Sequence, residues 1–273
     1  MSRLSVITPV LNQVRYIGET LESVAGLPVD HEHIVVDGGS TDGTVELLRG
    51  RDDPSLVWTS EPDRGQTDAV NKGLRRAGGE YVGWINADDA YVAAGVARAV
   101  DHLDAHTEVC AVYGLMQITN ESGAVTRTYR PAAFNWRRYL WLGDYVPTTA
   151  IIFRRSLLDD RGLLDEKFRD AADYDLYLRL FHGARVDRIA EPLMRFRYHA
   201  DSKTARDPDR GQREALAIRL RWARHGRDAA LMRAVDGAKQ RLFAVVPPWP
   251  PGRVVTKTAD AVYGVRDRLT GGP

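Results

Sequence analysis

The sequence predicts an α/β fold in which a mostly parallel β-sheet is flanked by helices. Short apolar segments rich in β-branched residues alternate with segments of helical periodicity from the N-terminus to about residue 116. Glycine-rich or polar loops follow several of the apolar segments. A hydrophobic content of 44% is enough for a packed core, and 273 residues suit one large domain or a domain with an appendage.

The first half of the chain supplies these elements in alternation. Residues 4–8 form a short apolar run that Pro9 closes, which predicts a first buried strand, and residues 12–25 have the spacing of a helix. The next predicted elements are a strand at 34–36, a helix ending near Gly50, a strand at 56–59, a helix at 66–77, a strand at 81–85, a helix from about 93 to 103, and a strand around 109–113.

The pattern changes after residue 116. Residues 120–123 are typical of a turn between two strands, and residues 135–142 form an aromatic-rich segment that we interpret as a helix. Three further elements are predicted: a strand at 148–153, an amphipathic helix at 173–181 and a strand at 193–199. Residues from 203 onward are rich in arginine, and 254–269 is a candidate for the last helix.

Composition excludes several classes of protein. A formal net charge of +1 gives no electrostatic basis for binding nucleic acid. The single cysteine, Cys110, excludes an intramolecular disulfide, fits a reducing compartment, and lies in an apolar run typical of a core residue. No secretory leader and no membrane-spanning run are evident, so we expect a cytoplasmic protein.

Polar side chains follow three of the predicted strands. The first strand ends at Thr8 and Pro9, the second at Asp37 and the fourth at Asp88 and Asp89. Ligands of such sheets bind at the carboxyl ends of the strands, so we expect these groups to share one edge. Adjacent carboxylates favour a divalent cation that keeps phosphate oxygens as further ligands. The alternative is a pair of aspartates that caps a loop before a helix.

Five segments carry a resemblance to a known family. In order they are TPVLNQ at 8–13, VVDGGSTDGT at 35–44, DRGQTDAVNKG at 63–73, NADD at 86–89 and DYDLYLRL at 173–180. Their order and spacing resemble family 2 glycosyltransferases over residues 4–204. The resemblance implies the GT-A fold and an inverting transfer of a sugar from a nucleotide-diphosphate donor, most simply UDP-linked, to a glycan or lipid-linked acceptor.

The resemblance also implies donor-binding residues. Thr8 and Pro9 would line the nucleotide pocket. Asp37 would accept a hydrogen bond from uracil or another base, although an Asx-turn role is the alternative. Arg64 would pair with the diphosphate, with a solvated loop arginine as the alternative. Asp68 belongs to the same motif, or is favoured in the first turn of its helix by the helix dipole.

The NADD segment resembles the DxD motif, with Asn86 in place of the first aspartate. The resemblance implies that Asn86 and Asp88 contact the donor, that Asp88 reaches the ribose or the metal, and that Asp89 coordinates Mn²⁺ or Mg²⁺. His199 would reach the same metal or the diphosphate, because a neutral imidazole is a competent ligand. A surface histidine at a strand end is the alternative.

Asp173 is the predicted catalytic base, on its position in the last motif. An inverting transfer needs one carboxylate that takes the proton of the acceptor hydroxyl. Ala172 stands where the family usually has glutamate. Asp175 is the rival, but residues two apart do not share a helix face, so at most one of them enters the cleft. A helix N-cap at Asp173 is a further alternative.

We expect residues 1–203 to form the glycosyltransferase domain, with a nucleotide-binding half at about 1–116 and an acceptor-binding half at about 117–203. Residues 204–273 would be a helical extension. Its arginines between 206 and 227 would either contact an anionic membrane surface or form a solvated face. Four aromatic residues would form an acceptor platform or belong to the core, namely Trp136, Tyr139, Trp141 and Tyr145.

Other functions remain as hypotheses. A nucleotidyltransferase should carry a glycine-rich, basic loop after the first strand, and a dinucleotide-dependent oxidoreductase should carry G-x-G-x-x-G there. The chain has PVLN at that place. A non-catalytic sugar–nucleotide binding protein of the same fold is the third alternative, in which Asp37 and Asp88 matter for binding and Asp173 does not.

Overall fold

The computed structural model describes residues 2–143, 146–199, 208–223 and 226–245. The chain divides into two compact units, Met1–Ile218 and Arg219–Pro273. The boundary expected after residue 203 stays a prediction, because residues 200–207 lie outside the described part of the chain. The helix predicted at 254–269 also lies outside it.

Nine strands of the described residues form one sheet with the order β3-β2-β1-β4-β8-β6-β9-β5, and β7 pairs with β6. The strands are β1 Leu4–Val10, β2 His31–Asp37, β3 Leu56–Ser60, β4 Tyr81–Trp84, β5 Ala90–Tyr91, β6 Val109–Thr119, β7 Val125–Tyr129, β8 Ile151–Arg154 and β9 Arg185–Arg197.

The described residues also form nine α-helices and one short 3-10 helix, Thr148–Ala150. The α-helices are α1 Ile17–Ala25, α2 Thr44–Arg49, α3 Gln66–Arg76, α4 Ala93–Ala105, α5 Trp136–Leu142, α6 Ser156–Arg161, α7 Ala172–Leu180, α8 Pro208–Arg221 and α9 Gly226–Val245.

The predicted α/β class is confirmed, and the sheet is mixed, because antiparallel pairs occur beyond β4. Strands β3, β2, β1 and β4 run parallel to one another. β8 is antiparallel to both β4 and β6, whereas β9 returns parallel to β6. Because β2 and β4 lie on opposite sides of β1, the strand order reverses at β1. That reversal is where open α/β sheets bind ligands.

Close packing between α3 and β1 fixes one side of the sheet. Ile7 of β1 is fully buried, and a Cβ at Gly73 of α3 would lie 2.5 Å from Ile7 Cγ2. Glycine therefore lets the helix backbone approach the strand more closely than any other residue would. On the other part of the sheet, α4 lies against β6 and β9 around Val96, Val100 and Leu193.

Several predicted boundaries differ from the structure. The strand predicted at 109–113 continues to Thr119, and the strand predicted at 193–199 begins at Arg185 and ends at Arg197. The strand predicted at 148–153 begins as a 3-10 helix, and its extended part is Ile151–Arg154. The predicted turn at 120–123 is confirmed, since Asn120 N donates to Ala124 O at 3.0 Å and Gly123 has a φ of +85°.

The described part of the second unit contains the end of α8 and all of α9. Within it the guanidinium of Arg219 forms an ion pair with Asp236, and both side chains are buried.

Candidate functional site

The carboxyl ends of β1, β2 and β4 lie together at one edge of the sheet. Gly38 N donates to Val10 O at 2.9 Å, which joins the ends of β1 and β2. Ile85 N donates to Ile7 O at 3.0 Å, which joins β4 to β1. Asp37 and the loop at 86–89 therefore lie at the same edge, on either side of the end of β1.

Asp37 is fully buried, and its carboxylate is held by the loop that follows it. One oxygen, Oδ2, accepts from Gly39 N at 3.0 Å, Ser40 N at 2.9 Å and Ser60 Oγ at 2.6 Å. The other oxygen accepts from the hydroxyl of Ser40. This arrangement is the Asx-turn alternative for Asp37, and it leaves neither oxygen facing solvent.

A second carboxylate lies beside that loop. A Cβ added at Gly38 would stand 2.5 Å from Asp63 Oδ2, so the space that a side chain at 38 would fill is occupied by Asp63. Asp63 is half-buried, and its Oδ1 accepts from Gly65 N at 2.7 Å. Asp63 directly precedes Arg64 in the segment at 63–73, and the sequence pattern alone does not single it out.

The side chain of Thr8 points into the sheet. Its hydroxyl lies 2.9 Å from His33 Nε2 on β2, and both residues are fully buried. Burial, and to a smaller extent the charge of His31, lower the pKa of His33 to about 3. Pro9 is buried in register with Val36. Neither Thr8 nor Pro9 presents a side chain to solvent at the edge.

Arg64 and Asp68 are paired with each other. Arg64 Nη2 lies 3.0 Å from Asp68 Oδ1 and 2.8 Å from Glu166 Oε2, while the arginine side chain is 72% exposed. Arg64 N also donates to Asp68 Oδ2 at 3.1 Å. Burial works against the charge of Asp68, yet the hydrogen bonds from Arg64 hold the pKa of this carboxyl below its usual value. Asp68 lies in the first turn of α3, where the helix dipole favours an acidic side chain, and its part in donor binding stays a prediction.

The 86–89 loop is tightly bonded around Asp89. This carboxylate is 2% exposed and accepts from Arg197 N at 3.0 Å and from Asn86 Nδ2 at 3.2 Å. Asn86 is fixed in turn by Gln66 Nε2 at 2.9 Å. Burial first, and then the negative charge of Asp88, raise the pKa of Asp89 well above its usual value.

Asp88 is the more accessible carboxylate of the pair, and it lies against His199. His199 Nε2 is 3.1 Å from Asp88 Oδ2. The histidine is buried, and among the described residues its Nδ1 has no hydrogen-bond partner. Its ring lies 4.7 Å from the ring of Tyr16. The chain thus brings residue 199 back to the loop at 86–89, more than a hundred positions earlier.

Arg197 supports this loop, although it lies outside all five of the family-like segments. Its Nε donates to Asp88 O at 3.2 Å and its Nη1 to Glu121 O at 2.8 Å, and its guanidinium also pairs with Glu19. The period-two alternation of residues 193–199 placed positions 197 and 199 on one face, which was the available signal.

The residues at this loop fit a divalent cation. Within the described ranges no group of three or more histidine, cysteine or acidic side chains forms a complete metal site. Cations at nucleotide sites need only one or two protein carboxylates, because phosphate oxygens complete the shell. Asp88 offers a carboxylate oxygen, and the imidazole of His199, with a buried unpartnered nitrogen, offers a second donor.

Asp173 lies in the first turn of α7, after the N-cap residue Ala171. It is therefore not the N-cap itself. One carboxylate oxygen accepts from the hydroxyl of Thr148, and the other accepts from Tyr174 N at 2.8 Å. Asp175 is buried and is bound by Arg179 Nε at 2.9 Å. As expected for residues two apart, the two aspartates occupy different faces, and Asp173 is the half-exposed one.

The aromatic segment belongs largely to the core. Tyr139 is 1% exposed and its ring lies 5.1 Å from that of Tyr174. Trp136 Nε1 donates to Leu178 O at 2.9 Å, and Trp141 is half-buried. Tyr145, the fourth residue of the expected acceptor platform, lies outside the described residues.

The arginine-rich segment is partly engaged with carboxylates. Arg210 lies 3.5 Å from Asp170, and Arg219 pairs with Asp236. Arg213, Arg221 and Arg227 are exposed, whereas Arg206 and Arg224 lie outside the described residues. Among the helices that the structure describes, none has both the length and the apolar character needed to cross a bilayer.

Comparisons of the sequence find glycosyltransferases. The sequence model described as Glycosyl transferase family 2 matches residues 5–162. An uncharacterized glycosyltransferase of Mycobacterium tuberculosis (strain H37Rv) is 33% identical over 179 residues, which are 64% of this chain and 68% of that protein. A Mycobacterium bovis (strain BCG) protein named PGL/p-HBAD biosynthesis glycosyltransferase is 31% identical over 184 residues, 65% of this chain and 69% of that one.

Solved structures share the fold. TarS 1-349 of S. aureus, in complex with UDP-GlcNAc, superposes with a TM-score of 0.68 at 21% identity, over 89% of this chain and 73% of that one. The mannosyltransferase PcManGT of Pyrobaculum calidifontis, in complex with GDP-Man and Mn²⁺, superposes with a TM-score of 0.62 at 21% identity, over 98% and 81%.

Proposed function

Because this chain belongs to glycosyltransferase family 2 and has the GT-A fold, we propose that it transfers a sugar from a UDP-linked donor to a hydroxyl of a glycan or lipid-linked acceptor. One observation carries the proposal: Asp88 and His199 meet beside the buried Asp89 at the edge where β1, β2 and β4 end. Such an edge is where nucleotides bind in α/β sheets.

Asp88 and His199 would hold Mn²⁺ or Mg²⁺. The oxygens of Asp89 already accept from Arg197 N and Asn86 Nδ2, so Asp89 serves better as the anchor of the loop than as a ligand. A divalent cation bound here neutralises the charge that the departing nucleoside diphosphate gains. The presence of Mn²⁺ in the PcManGT complex supports this assignment.

Two carboxylates at the end of β2 are candidates for recognition of the nucleobase. The carboxylate of Asp37 is fully buried and accepts four hydrogen bonds, three from its own loop and one from Ser60 of β3. Asp63 is half-buried, and its Oδ2 fills the space next to Gly38. A base needs an accessible acceptor, so we assign the role to Asp63 and give Asp37 the task of shaping the loop. UDP-GlcNAc in TarS supports a uracil base.

Asp173 would act as the base in an inverting transfer. Its carboxylate takes the proton of the acceptor hydroxyl while the acceptor oxygen forms a bond to the anomeric carbon. The bond from that carbon to the diphosphate oxygen breaks, and UDP leaves with the electron pair. Thr148 donates its hydroxyl to one oxygen of Asp173 and thereby orients the carboxylate.

For the acceptor we propose a chemical class and a location, without naming individual binding residues. We propose a cell-surface polysaccharide or glycolipid acceptor and a cytoplasmic location, with peripheral contact on the inner face of the membrane through the exposed Arg213, Arg221 and Arg227. The chain's relationship to a PGL/p-HBAD biosynthesis glycosyltransferase supports an acceptor in surface glycan or lipid synthesis.

Calorimetric titration of UDP, GDP and dTDP, each with Mn²⁺ and with EDTA, tests this function on the wild type and on Asp88→Asn. We expect UDP to bind most tightly and to lose at least about tenfold in affinity both with EDTA and in the variant. Asp52→Asn, at an exposed position, is the matched control. An affinity for UDP that is the same with Mn²⁺ and with EDTA would contradict the metal site. Failure to bind any of the three nucleotides would overturn the proposed function.

A further inference from the structure

A carboxylate from α8 binds the loop that leads into α7. Glu214 Oε2 accepts from three consecutive backbone N–H groups, those of Arg169 at 3.0 Å, Asp170 at 2.8 Å and Ala171 at 3.0 Å. All of these residues belong to the first unit. Hydrogen bonds to an ionised acceptor are roughly twice as strong as neutral ones, so three of them fix this segment firmly.

The bound segment ends immediately before the predicted base. Ala171 is the N-cap of α7 and offers no side-chain cap, and Asp173 is the second residue of that helix. The first N–H groups of a helix lack partners within it. Glu214 supplies a partner for the N–H of the N-cap residue Ala171 and also binds the two N–H groups before it. It adds the negative charge that a helix N-terminus favours. The direction in which α7 begins therefore depends on Glu214.

The residues before this segment are held by a different element. Thr67 Oγ1 donates to Phe168 O at 3.0 Å, and Asn71 Nδ2 donates to Leu164 O at 3.0 Å, so α3 fixes residues 164–168. Arg210, one turn before Glu214 on α8, lies 3.5 Å from Asp170. Residues 169–171 are thus the point at which α8 takes over the support of the loop.

We propose that Glu214 is a positioning residue for the transfer, which sets the place of Asp173 by holding residues 169–171. The proposal rests on the proposed function, in which Asp173 takes the acceptor proton. Loss of Glu214 would displace Asp173 relative to the acceptor without altering the donor end at Asp88 and His199. A displacement of about 1 Å at a reacting group costs on the order of a hundredfold in rate.

The test compares the wild type with Glu214→Ala, Glu214→Gln and the control Ala217→Gln, at an exposed position of the same helix. Release of UDP is followed with UDP-glucose, UDP-galactose and UDP-N-acetylglucosamine, with Mn²⁺ present and water as the acceptor. We expect Glu214→Ala to lower kcat by about 10- to 100-fold while the donor KM and the calorimetric affinity for UDP stay within about twofold. Glu214→Gln keeps an oxygen that accepts the same hydrogen bonds and should restore most of the rate.

The possible results distinguish failure of the positioning role of Glu214 from failure of the proposed function. If the wild type releases UDP and Glu214→Ala keeps its kcat, the positioning role is overturned and the proposed function stands. An equal loss of kcat and of UDP affinity in Glu214→Ala would indicate general unfolding and would also overturn it. A wild type that releases no UDP from any of the three donors overturns the proposed function and this inference together.

Discussion

Carboxylates of the same type differ in what they can still bind. Asp37, Asp63, Asp88 and Asp89 all lie near the carboxyl edge of the sheet, but the protein's own donors occupy Asp37 and Asp89. Asp63 and Asp88 are the more accessible members of the set. A carboxylate that is accessible could contact a ligand, whereas one that is already hydrogen-bonded within the protein shapes the site. Closeness to a motif in the sequence does not distinguish the two kinds.

Replacing Asp63 by asparagine should change which pyrimidine nucleotide binds. A carboxylate only accepts hydrogen bonds, which suits the N3–H of uracil and opposes the N3 acceptor of cytosine, whereas an amide both donates and accepts. A hydrogen bond to a charged group is worth about 1.5–3 kcal/mol, so we expect Asp63→Asn to weaken UDP about 10- to 100-fold and to lower the preference for UDP over CDP. Calorimetric titration with both nucleotides measures this.

Gly38→Ala provides a second route to the same result, since its Cβ would lie 2.5 Å from Asp63 Oδ2 and displace that carboxylate. Asp52→Asn is again the exposed control. An Asp63→Asn variant with an unchanged ratio of UDP to CDP affinity would show that another group contacts the base.

The motifs predicted which segments meet, but not how each side chain is used. The carboxyl ends of strands in an α/β sheet share an edge whatever their sequence, so Asp37, Asp88 and Asp89 could be placed there without a structure. The hydrogen bonds that each carboxylate accepts decide how its side chain is used. The saturation of Asp37 depends on Ser60, 23 positions away, and that contact leaves no pattern in the sequence. The functional roles of all these residues stay predictions.

At the scale of elements, α3 and β1 pack so closely that there is little space for a side chain at position 73. Ile7 is β-branched and fully buried, so it cannot rotate away from a larger residue at position 73. The helix would otherwise gain from the exchange, because alanine is favoured over glycine by about 1 kcal/mol in a helix interior. Overpacking of a rigid core costs about 1–3 kcal/mol, which is the larger effect.

Gly73→Ala should therefore lower the free energy of unfolding by about 1–2 kcal/mol, in spite of its better helix propensity. Gly18→Ala in α1 is the matched control, since its Cβ would meet only Arg51 Nη2 at an ordinary 3.8 Å. We expect Gly18→Ala to be neutral or stabilising by up to about 1 kcal/mol. Urea unfolding measures both variants, and a stabilised Gly73→Ala would contradict the close contact.

Helices and strands were predicted correctly where the segment is long enough to show hydrophobic periodicity. The strands and helices up to residue 116 follow the predicted alternation, with α1 beginning later than expected, at Ile17. The two-residue strand β5 is too short to show a period and was not predicted. The six-residue helix α6 was not predicted either, although α2, which has the same length, was. Antiparallel pairing of β8 could not be foreseen, because strand direction depends on the path of the chain and not on local composition.

For the whole molecule, one buried histidine links folding to pH. His33 is fully buried between β1 and β3, and burial lowers its pKa from 6.5 to about 3. In the unfolded chain this imidazole binds a proton below about pH 6.5, whereas in the folded chain it stays neutral. The folded state therefore binds fewer protons between pH 6.5 and 3, and stability decreases as the pH falls through that window.

His33→Gln should reduce this dependence, because the amide can still donate to Thr8 Oγ1 but does not titrate. We expect the wild type to lose about 2 kcal/mol more than the variant between pH 7 and pH 5. Urea unfolding at the two pH values gives the difference, whatever the variant's stability at pH 7. Equal losses in the two proteins would mean that His33 is protonated in the folded state.

The return of β9 to the donor end also sets the order in which a newly made chain can become competent. A nascent chain that has left the ribosome as far as residue 162 contains all of the family-matched sequence, including the loop at 86–89. It does not yet contain Arg197, whose backbone and guanidinium hold that loop, or His199, the partner of Asp88. We therefore expect the loop at 86–89 to take its bonded form only after the end of β9 and residue 199 have been made.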